Sequence, residues 1–356
     1  MEFEDFLRFY DINLNYVDIP SSVRGFAYYN GYSYLVIINK KYSKEQNIKT
    51  TIHELIHIFK NHFSYLKEVF GEKGTEFCEI FYFFYSISIA GFAAYTICHL
   101  ILKNLLQQES FEVILLLLLL LGAYGIYGGI ESRGRVYEII YWTLAVLLLI
   151  MLAFSVGSVD TDKWMPFLYD SGMDFLGSTY LVFGIFSWII FLLFLRPHCA
   201  EPEKLGNTAA RAVLVTGGLL FFIYLLLMGI FGTKALAGTQ FSVVALMSMV
   251  ELPGGFLERL DVLMVGIWFF ALYALMDHMI FHSVNIFMHT FSLKNKKYPS
   301  ILILILVYAI ARGCWESLFF LQLLKQLFYL AAVPISIGIS ILAYILVKRK
   351  RRKEHA

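Results

Sequence analysis

Hydrophobic and polar positions divide this chain in two. Up to about residue 62 they mix or alternate, and from about Ile80 onward long apolar runs take over. Eight runs come close to the roughly 20 residues that cross a bilayer as a helix: 80–102, 113–130, 136–157, 178–195, 212–232, 262–284, 300–317 and 327–347. Val113–Gly122 is nearly pure leucine, as suits a helix that faces lipid. Phe241–Val250 is apolar but too short to cross, and Pro253-Gly254-Gly255 interrupts it, so 233–259 reads as an interfacial or re-entrant stretch. In the polar part, Glu2–Asn13 reads as a short helix. Phe26–Tyr29 and Tyr32–Asn39 flank Asn30-Gly31, a strong hairpin turn signal. A polar connection over Tyr42–Asn47 leads into a helix at Thr51–His62.

Composition agrees with the pattern. The 356 residues are 59% hydrophobic and 16% charged, with a mean hydropathy of +0.67, which excludes an ordinary soluble globular protein. The expected fold is a mainly all-α polytopic membrane protein with about eight transmembrane helices and a small N-terminal α+β unit. The expected domains are 1–64 soluble, 65–350 in the membrane and a basic tail at 348–356. Cys78, Cys98, Cys199 and Cys314 are widely spaced without a CxxC pair and read as free thiols. No nucleic-acid motif is present. The start, MEFEDFLRFYDIN, holds no long apolar run, so no cleavable signal peptide is expected.

Loop charges set an expected orientation. With the N-terminus inside, Arg133, Arg135, Arg196, Lys204, Arg211, Lys294, Lys296, Lys297 and the tail KRKRRK all fall inside. Only Lys103, Lys163, Lys234, Arg259 and Lys325 fall outside, and the outside loop 158–177 is acidic. The positive-inside rule then places both termini in the cytosol. The tail also suits anionic lipid, so membrane lipid is an expected partner.

The polar part carries one chemical motif. In TIHELIH, His53, Glu54 and His57 form an H-E-x-x-H pattern. Residues four apart share a helix face, so His53 and His57 can offer two imidazoles to one zinc ion, with Glu54 as general base. In the membrane part, ionisable residues are costly and point to cavities or partners. Glu138 lies in the third run, with Glu131, Arg133 and Arg135 just before it. Asp277, His278 and His282 lie near the inner end of the sixth run, where a proton relay competes with interfacial hydrogen bonding. Arg312 and Glu316 are spaced for an i, i+4 pair.

Two resemblances follow from particular stretches. Phe26–His62, with its aromatic hairpin, VIIN strand, SKEQ turn and TIHELIH helix, resembles the ImmA/IrrE-type zinc metallopeptidases. That resemblance implies a zincin-like fold, zinc on His53 and His57, and Glu54 as base. It also implies a glutamate as third ligand, for which Glu68, Glu72, Glu76 and Glu79 are candidates and Glu76 fits the spacing best. The stretches Tyr124–Ile140, Asp162–Tyr180 and Met249–Leu272 resemble the GerAB family of spore germination proteins, relatives of amino-acid permeases. That resemblance implies a partial permease-like fold whose eight runs match the family's third to tenth spans. It also implies a place in the spore inner membrane, a small amino-acid-like ligand and other germinant-receptor subunits as partners. The fourth run then corresponds to the family's broken sixth span. Pro166, Gly172 and Gly177 are accordingly the candidate substrate-site positions, and Glu258, Arg259 and Asp261 flank a membrane entry. Lys67–Tyr95 already resembles the family's third span, which makes Glu76 a helix flank in that reading. Three functions are thus in view: a germinant-receptor permease subunit, a membrane-anchored zinc peptidase acting on a cytosolic protein, and a recombined fusion without activity.

Overall fold

The computed structural model describes Leu7 and residues 12–18, 20, 24–29, 34–164, 172–195, 204–239, 241–249, 260–291, 293 and 295–354. Within these, the side chains of 25, 26, 28, 29, 52–68, 129, 131, 172–174, 190, 193, 195, 247–249, 260, 261 and 349–354 lie outside the description.

The chain opens with a three-stranded sheet in the order β1-β3-β2, built from β1 (Ile12–Val17), β2 (Gly25–Tyr29) and β3 (Tyr34–Asn39). β1 runs parallel to β3 from Ile12 opposite Tyr34 to Val17 opposite Asn39. β2 runs antiparallel to β3 and closes at Tyr29 opposite Tyr34. Ile12, Tyr34, Val36 and Ile38 form the small core beneath it. One expectation changes here. The helix expected over Glu2–Asn13 has become strand by Ile12, because β3 offers Ile12–Val17 a ladder that overrides local helix preference. Of the hairpin's second strand Tyr34–Asn39 is described, and Tyr32 and the Asn30-Gly31 turn lie outside the described residues. The sheet is small and does not by itself make a zincin-like domain.

The polar connection ends at Ser43, which begins α1 (Lys44–Asn104). Ser43 Oγ accepts from the Gln46 backbone N–H, and the Ser43 N–H donates to Gln46 Oε1. This reciprocal box satisfies two donors that a helix start leaves open. α1 continues through the expected domain boundary at residue 64. It kinks at Gly71, whose φ of 72° only glycine adopts without strain. Val69–Asn104 is the most enclosed of the long apolar helices, 56% buried in its most apolar window. Its most extensive packing is against Leu260–Thr290 and Lys297–Glu316.

The helices after α1 are α2 (Phe111–Tyr127), α3 (Gly129–Ser155), α4 (Gly172–Phe186), α5 (Leu192–Leu195), α6 (Leu205–Gly238), α7 (Ser242–Met249), α8 (Leu260–Thr290), α9 (Lys297–Glu316), α10 (Leu318–Leu327) and α11 (Val333–Glu354). Among the described residues, six helices are long and apolar enough to cross a membrane: Val69–Asn104, Ser132–Ser158, Leu205–Gly238, Val262–Thr290, Lys297–Glu316 and Leu318–Lys348. The runs expected at 113–130 and 178–195 form shorter apolar helices, Phe111–Tyr127 and Phe175–Ile189. In the leucine run, Leu115, Leu118 and Leu119 turn inward while Leu116, Leu117 and Leu120 stay exposed, so one face packs and the other is left for lipid. In the 233–259 stretch, Ser242–Met249 forms a short helix, as that pattern implied.

Three breaks shape the interior. After α4 the helix tightens to a 3₁₀ segment at Ser187–Phe191, and Ser187 Oγ donates to the Gly184 carbonyl across the change. Between α10 and α11 the backbone widens to a π turn at Phe328–Ala332. Pro334 follows directly; it has no N–H for the Leu330 carbonyl, and its ring crowds that carbonyl in a regular helix. α6 kinks at Gly232, φ 72°. Just before this kink, carbonyls of α6 are held by the segment that follows α3. The Asp160 N–H donates to Gly229 O, the Trp164 indole to Leu225 O, and Lys163 Nζ to Ile230 O at 2.8 Å.

Candidate functional site

The strongest polar feature of the apolar bundle joins α3 to α8. Arg133 Nε donates to Asp277 Oδ2 at 2.8 Å, and Nη2 donates to Oδ1 at 3.1 Å. The two side chains are only 5% and 4% exposed. Tyr137, one turn after Arg133, donates its hydroxyl to Oδ2 at 2.6 Å. Phe281 lies beneath the guanidinium, 4.3 Å from ring centroid to Cζ. A Cβ on Gly125 would sit 2.3 Å from Asp277 Oδ1, so only glycine lets α2 approach this pair. Both charges are thus paired and hydrogen-bonded, which is what allows them to stay inside.

One turn along α8 the polar line continues. His278 Nε2 and His282 Nε2 lie 3.0 Å apart. Ser283 Oγ meets Ser86 Oγ of α1 at 2.7 Å. The His282 ring packs against Phe191 and Phe194, at 5.6 and 6.0 Å between centroids. Tyr82 also meets those two rings, at 5.5 and 5.4 Å. Tyr85 donates to Ser187 Oγ at 2.9 Å, because the Ser187 proton is engaged with Gly184. Tyr82 approaches Ser336 of α11, and Tyr85 approaches Trp188. Yet Tyr82 Oη, Trp188 Nε1 and Ser336 Oγ are buried and reach no properly aligned hydrogen bond. Tyr82 of α1 thus faces Ser336 beyond the π turn, and Tyr85 of α1 faces Trp188 of the 3₁₀ break, each approach short of an aligned hydrogen bond.

The positions singled out in the sequence fall in different places. His53, Glu54 and His57 sit on the α1 backbone before its kink, with side chains outside the description, as is that of Glu68. Glu76 is exposed on the same helix beyond Gly71. Helix rise puts about 21 Å between His57 and Gly71 and about 7 Å between Gly71 and Glu76, so no direction of the second segment returns Glu76 to His57. Glu72 lies next to the kink, equally remote. Glu79 turns into the bundle instead: Thr290 Oγ1 donates to its Oε2 at 3.0 Å, and His289 Nδ1 lies 2.9 Å from Oε1, off hydrogen-bond alignment. Among the described residues no group of three His, Cys, Asp or Glu side chains is placed to hold a metal ion.

Glu138 is exposed on α3, while its neighbour Tyr137 turns inward to Asp277. Arg135 is exposed on the same helix. Arg312 meets Glu316 at 2.6 Å and also pairs with Glu112 at the start of α2, so it ties two helices. Gly177 is an exposed helical position with open space where a side chain would be. Gly172 begins α4, with its surroundings outside the description. Pro166, Glu258 and Arg259 lie outside the described residues, as does the side chain of Asp261. Cys78, Cys98 and Cys314 are buried free thiols. The sequence reading missed Tyr82, Tyr85, Tyr137, Trp188 and Ser336. The available signals were tyrosines one turn apart in the first run and Pro334 inside the last.

The family model described as Spore germination protein matches residues 48–313, a stretch that takes in His53, Glu54 and His57 together with most of the bundle. Spore germination protein A2 of Bacillus subtilis (strain 168) is 22% identical over 240 residues, covering 67% of this chain and 66% of that protein. Spore germination protein B2 of the same organism is 27% identical over 188 residues, 52% of this chain and 50% of the relative. Spore germination protein YndE, also from that organism, is 23% identical over 218 residues, 60% and 58% respectively. The chain thus spans between half and two thirds of the length of these relatives. No solved structure matches.

Proposed function

Because the chain belongs to the spore germination protein family, we propose that it is the permease-like membrane subunit of a nutrient germinant receptor. It recognises a small amino-acid-like ligand inside the bilayer and works with other receptor subunits in the spore inner membrane. The observation that carries this reading is a set of buried polar groups beside the break after α4: Tyr82 facing Ser336 and Tyr85 facing Trp188, with Tyr82 Oη, Trp188 Nε1 and Ser336 Oγ short of an aligned hydrogen bond. Irregular backbone at membrane depth is tolerated where it lines a cavity, and a few convergent polar groups in an apolar surround make a ligand site. An amino-acid headgroup carries both donors and acceptors and so suits a lining of hydroxyls and an indole N–H. The site lies a short way along the chain from Gly172 and Gly177, which with Pro166 remain the candidate substrate-site positions. The dense basic loops and tail favour cytosolic termini.

The test is germination of spores lacking this gene, across a panel of amino acids, with Tyr82→Phe and Ser336→Ala alongside. Loss of response to one amino acid in the deletion strain, and a weakened response in the two variants at equal protein level, is expected. An unchanged response to every amino acid overturns the reading.

A second reading keeps zinc on His53 and His57 with Glu54 as base, supported by their i, i+4 places on the α1 backbone. It needs a third ligand other than Glu76. Near-stoichiometric zinc in purified protein, lost in His53→Ala, is its required outcome.

A further inference from the structure

We propose that His278 and His282 form a proton-binding site within the membrane bundle, and that the proton they take up competes with Arg133 for Asp277. Two neutral imidazoles joined Nε2 to Nε2 at 3.0 Å have one donor and one acceptor along that line. The donor ring, neutral and protonated on Nε2, carries no hydrogen on Nδ1. One proton from water adds there, forming a single new N–H bond, with no change of oxidation state. The Nε2–H···Nε2 bond survives and becomes charge-assisted, hence stronger. A second added proton would place hydrogens on both Nε2 atoms and break the pair. The site therefore binds one excess proton.

The surroundings decide what that charge does. From α3, Arg133 and Tyr137 face the pair; the Tyr137 ring lies 6.2 Å from His278. From α8 itself come Asp277, the residue before His278, and Tyr273, one turn before Asp277. From α1 come the hydroxyls of Ser86, Tyr82 and Tyr85, the two tyrosines screened by Phe191 and Phe194. α2 presents Gly122 and Gly125 to α8, and α7 carries no ionisable residue. Lys296, just before α9, is engaged by the Ile126 carbonyl. Asp277 is thus the anion nearest the pair among these groups, and it already holds Arg133. A proton on the imidazoles draws on the same carboxylate. The Arg133–Asp277 contact between α3 and α8 weakens as the pair charges. His282 of the pair also packs against Phe191 and Phe194, and both rings in turn contact Tyr82, so two rings link the pair to the tyrosine.

The experiment is a histidine-selective ¹⁵N NMR titration of the ligand-free full chain in nanodiscs, from pH 4 to 9. H278Q and H282Q assign the signals, and elution volume confirms that each variant is folded. In the unaltered protein both rings are expected to move together in one single-proton step. In each glutamine variant the remaining ring moves with a different midpoint. D277N lowers the step and R133Q raises it, each by about 1 pH unit or more. Independent titration of the two rings, no titration of either, or shifts of the same sign in D277N and R133Q overturns the proposal. Should D277N or R133Q fail to fold, the coupling seen between the two rings still decides it. No ligand enters this test, so its outcome is separate from that of the receptor reading.

Discussion

Arg133 and Asp277 grip each other through two hydrogen bonds across α3 and α8, in a contact almost closed to the outside. A guanidinium fork matches a carboxylate in a way that an ammonium does not. Truncating either partner strands a buried charge, which costs about 3–5 kcal/mol. Arg133→Ala and Asp277→Ala are each expected to lower the thermal unfolding midpoint of the detergent-solubilised protein sharply. The apolar double variant Arg133→Met/Asp277→Leu is expected to recover most of the loss. A double variant no better than the singles would mean that the pair itself, rather than a stranded charge, stabilises the bundle.

Gly125 makes that grip possible. An added Cβ at this position would meet Asp277 Oδ1 at 2.3 Å, and Arg133 Nη2 at 3.4 Å. Gly125→Ala is therefore expected to destabilise by about 1–3 kcal/mol through overpacking, whereas Gly134→Ala, with open space around it, stays near neutral. Parallel melting curves of the two variants check this contrast.

These contacts also mark how far the sequence is legible. The apolar runs reflect a one-dimensional requirement, the span of a bilayer, so each is found again as a helix. The partner of Arg133 is not of that kind. Asp277 lies 144 positions away, and nothing local distinguishes it from an aspartate facing water. Glu138 drew attention as a charge in an apolar run, yet Tyr137 is the residue that turns inward. A shift of one residue on a helix is about 100° of rotation, beyond what apolar periodicity resolves where every face is apolar. The parallel pairing of Ile12–Val17 with Tyr34–Asn39 was hidden for a related reason: its partner is supplied by chain beyond an intervening strand. For the third ligand of the metal reading, spacing along a sequence does not tell a folded-back glutamate from one carried away on the same helix, as Glu76 is.

Arg312 offers a milder case. It lies between Glu112 and Glu316, and all three side chains are about a third exposed or more. Screened ion pairs of this kind contribute about 0–1 kcal/mol. Arg312→Gln is expected to leave the melting midpoint nearly unchanged at high salt and to lower it slightly at low salt. An equal, large drop at both salt levels would assign Arg312 a buried role that its exposure does not suggest.

The cap on α6 makes a stronger claim. Near the Gly232 kink, the Trp164 indole donates to Leu225 O and Lys163 Nζ to Ile230 O. Helix carbonyls beside a break lack their usual partners, and leaving one unmet costs about 1–3 kcal/mol. Trp164→Phe keeps the ring's apolar bulk and removes its donor. It is expected to destabilise by that amount and to speed amide hydrogen exchange around the kink, near 229–233. Unaltered exchange there would show that the segment after α3 does not hold α6.

The π turn before Pro334 sets the direction of Ser336. A regular helix through Phe328–Ala332 would rotate everything after it by about 100°, which would carry Ser336 away from Tyr82. Pro334 enforces the wide turn because it cannot donate to Leu330 O and its ring crowds that carbonyl. Pro334→Ala restores the donor and removes the crowding. The helix is then expected to relax to regular spacing, with little loss or even a gain in stability and a weaker Tyr82–Ser336 approach. Paired cysteines at 82 and 336 report this directly: they should cross-link readily with Pro334 present and poorly in Pro334→Ala. In spores the same substitution should blunt the amino-acid response while protein level holds. Unchanged cross-linking together with an unchanged response would mean that the turn persists without the proline and is fixed by packing against α1.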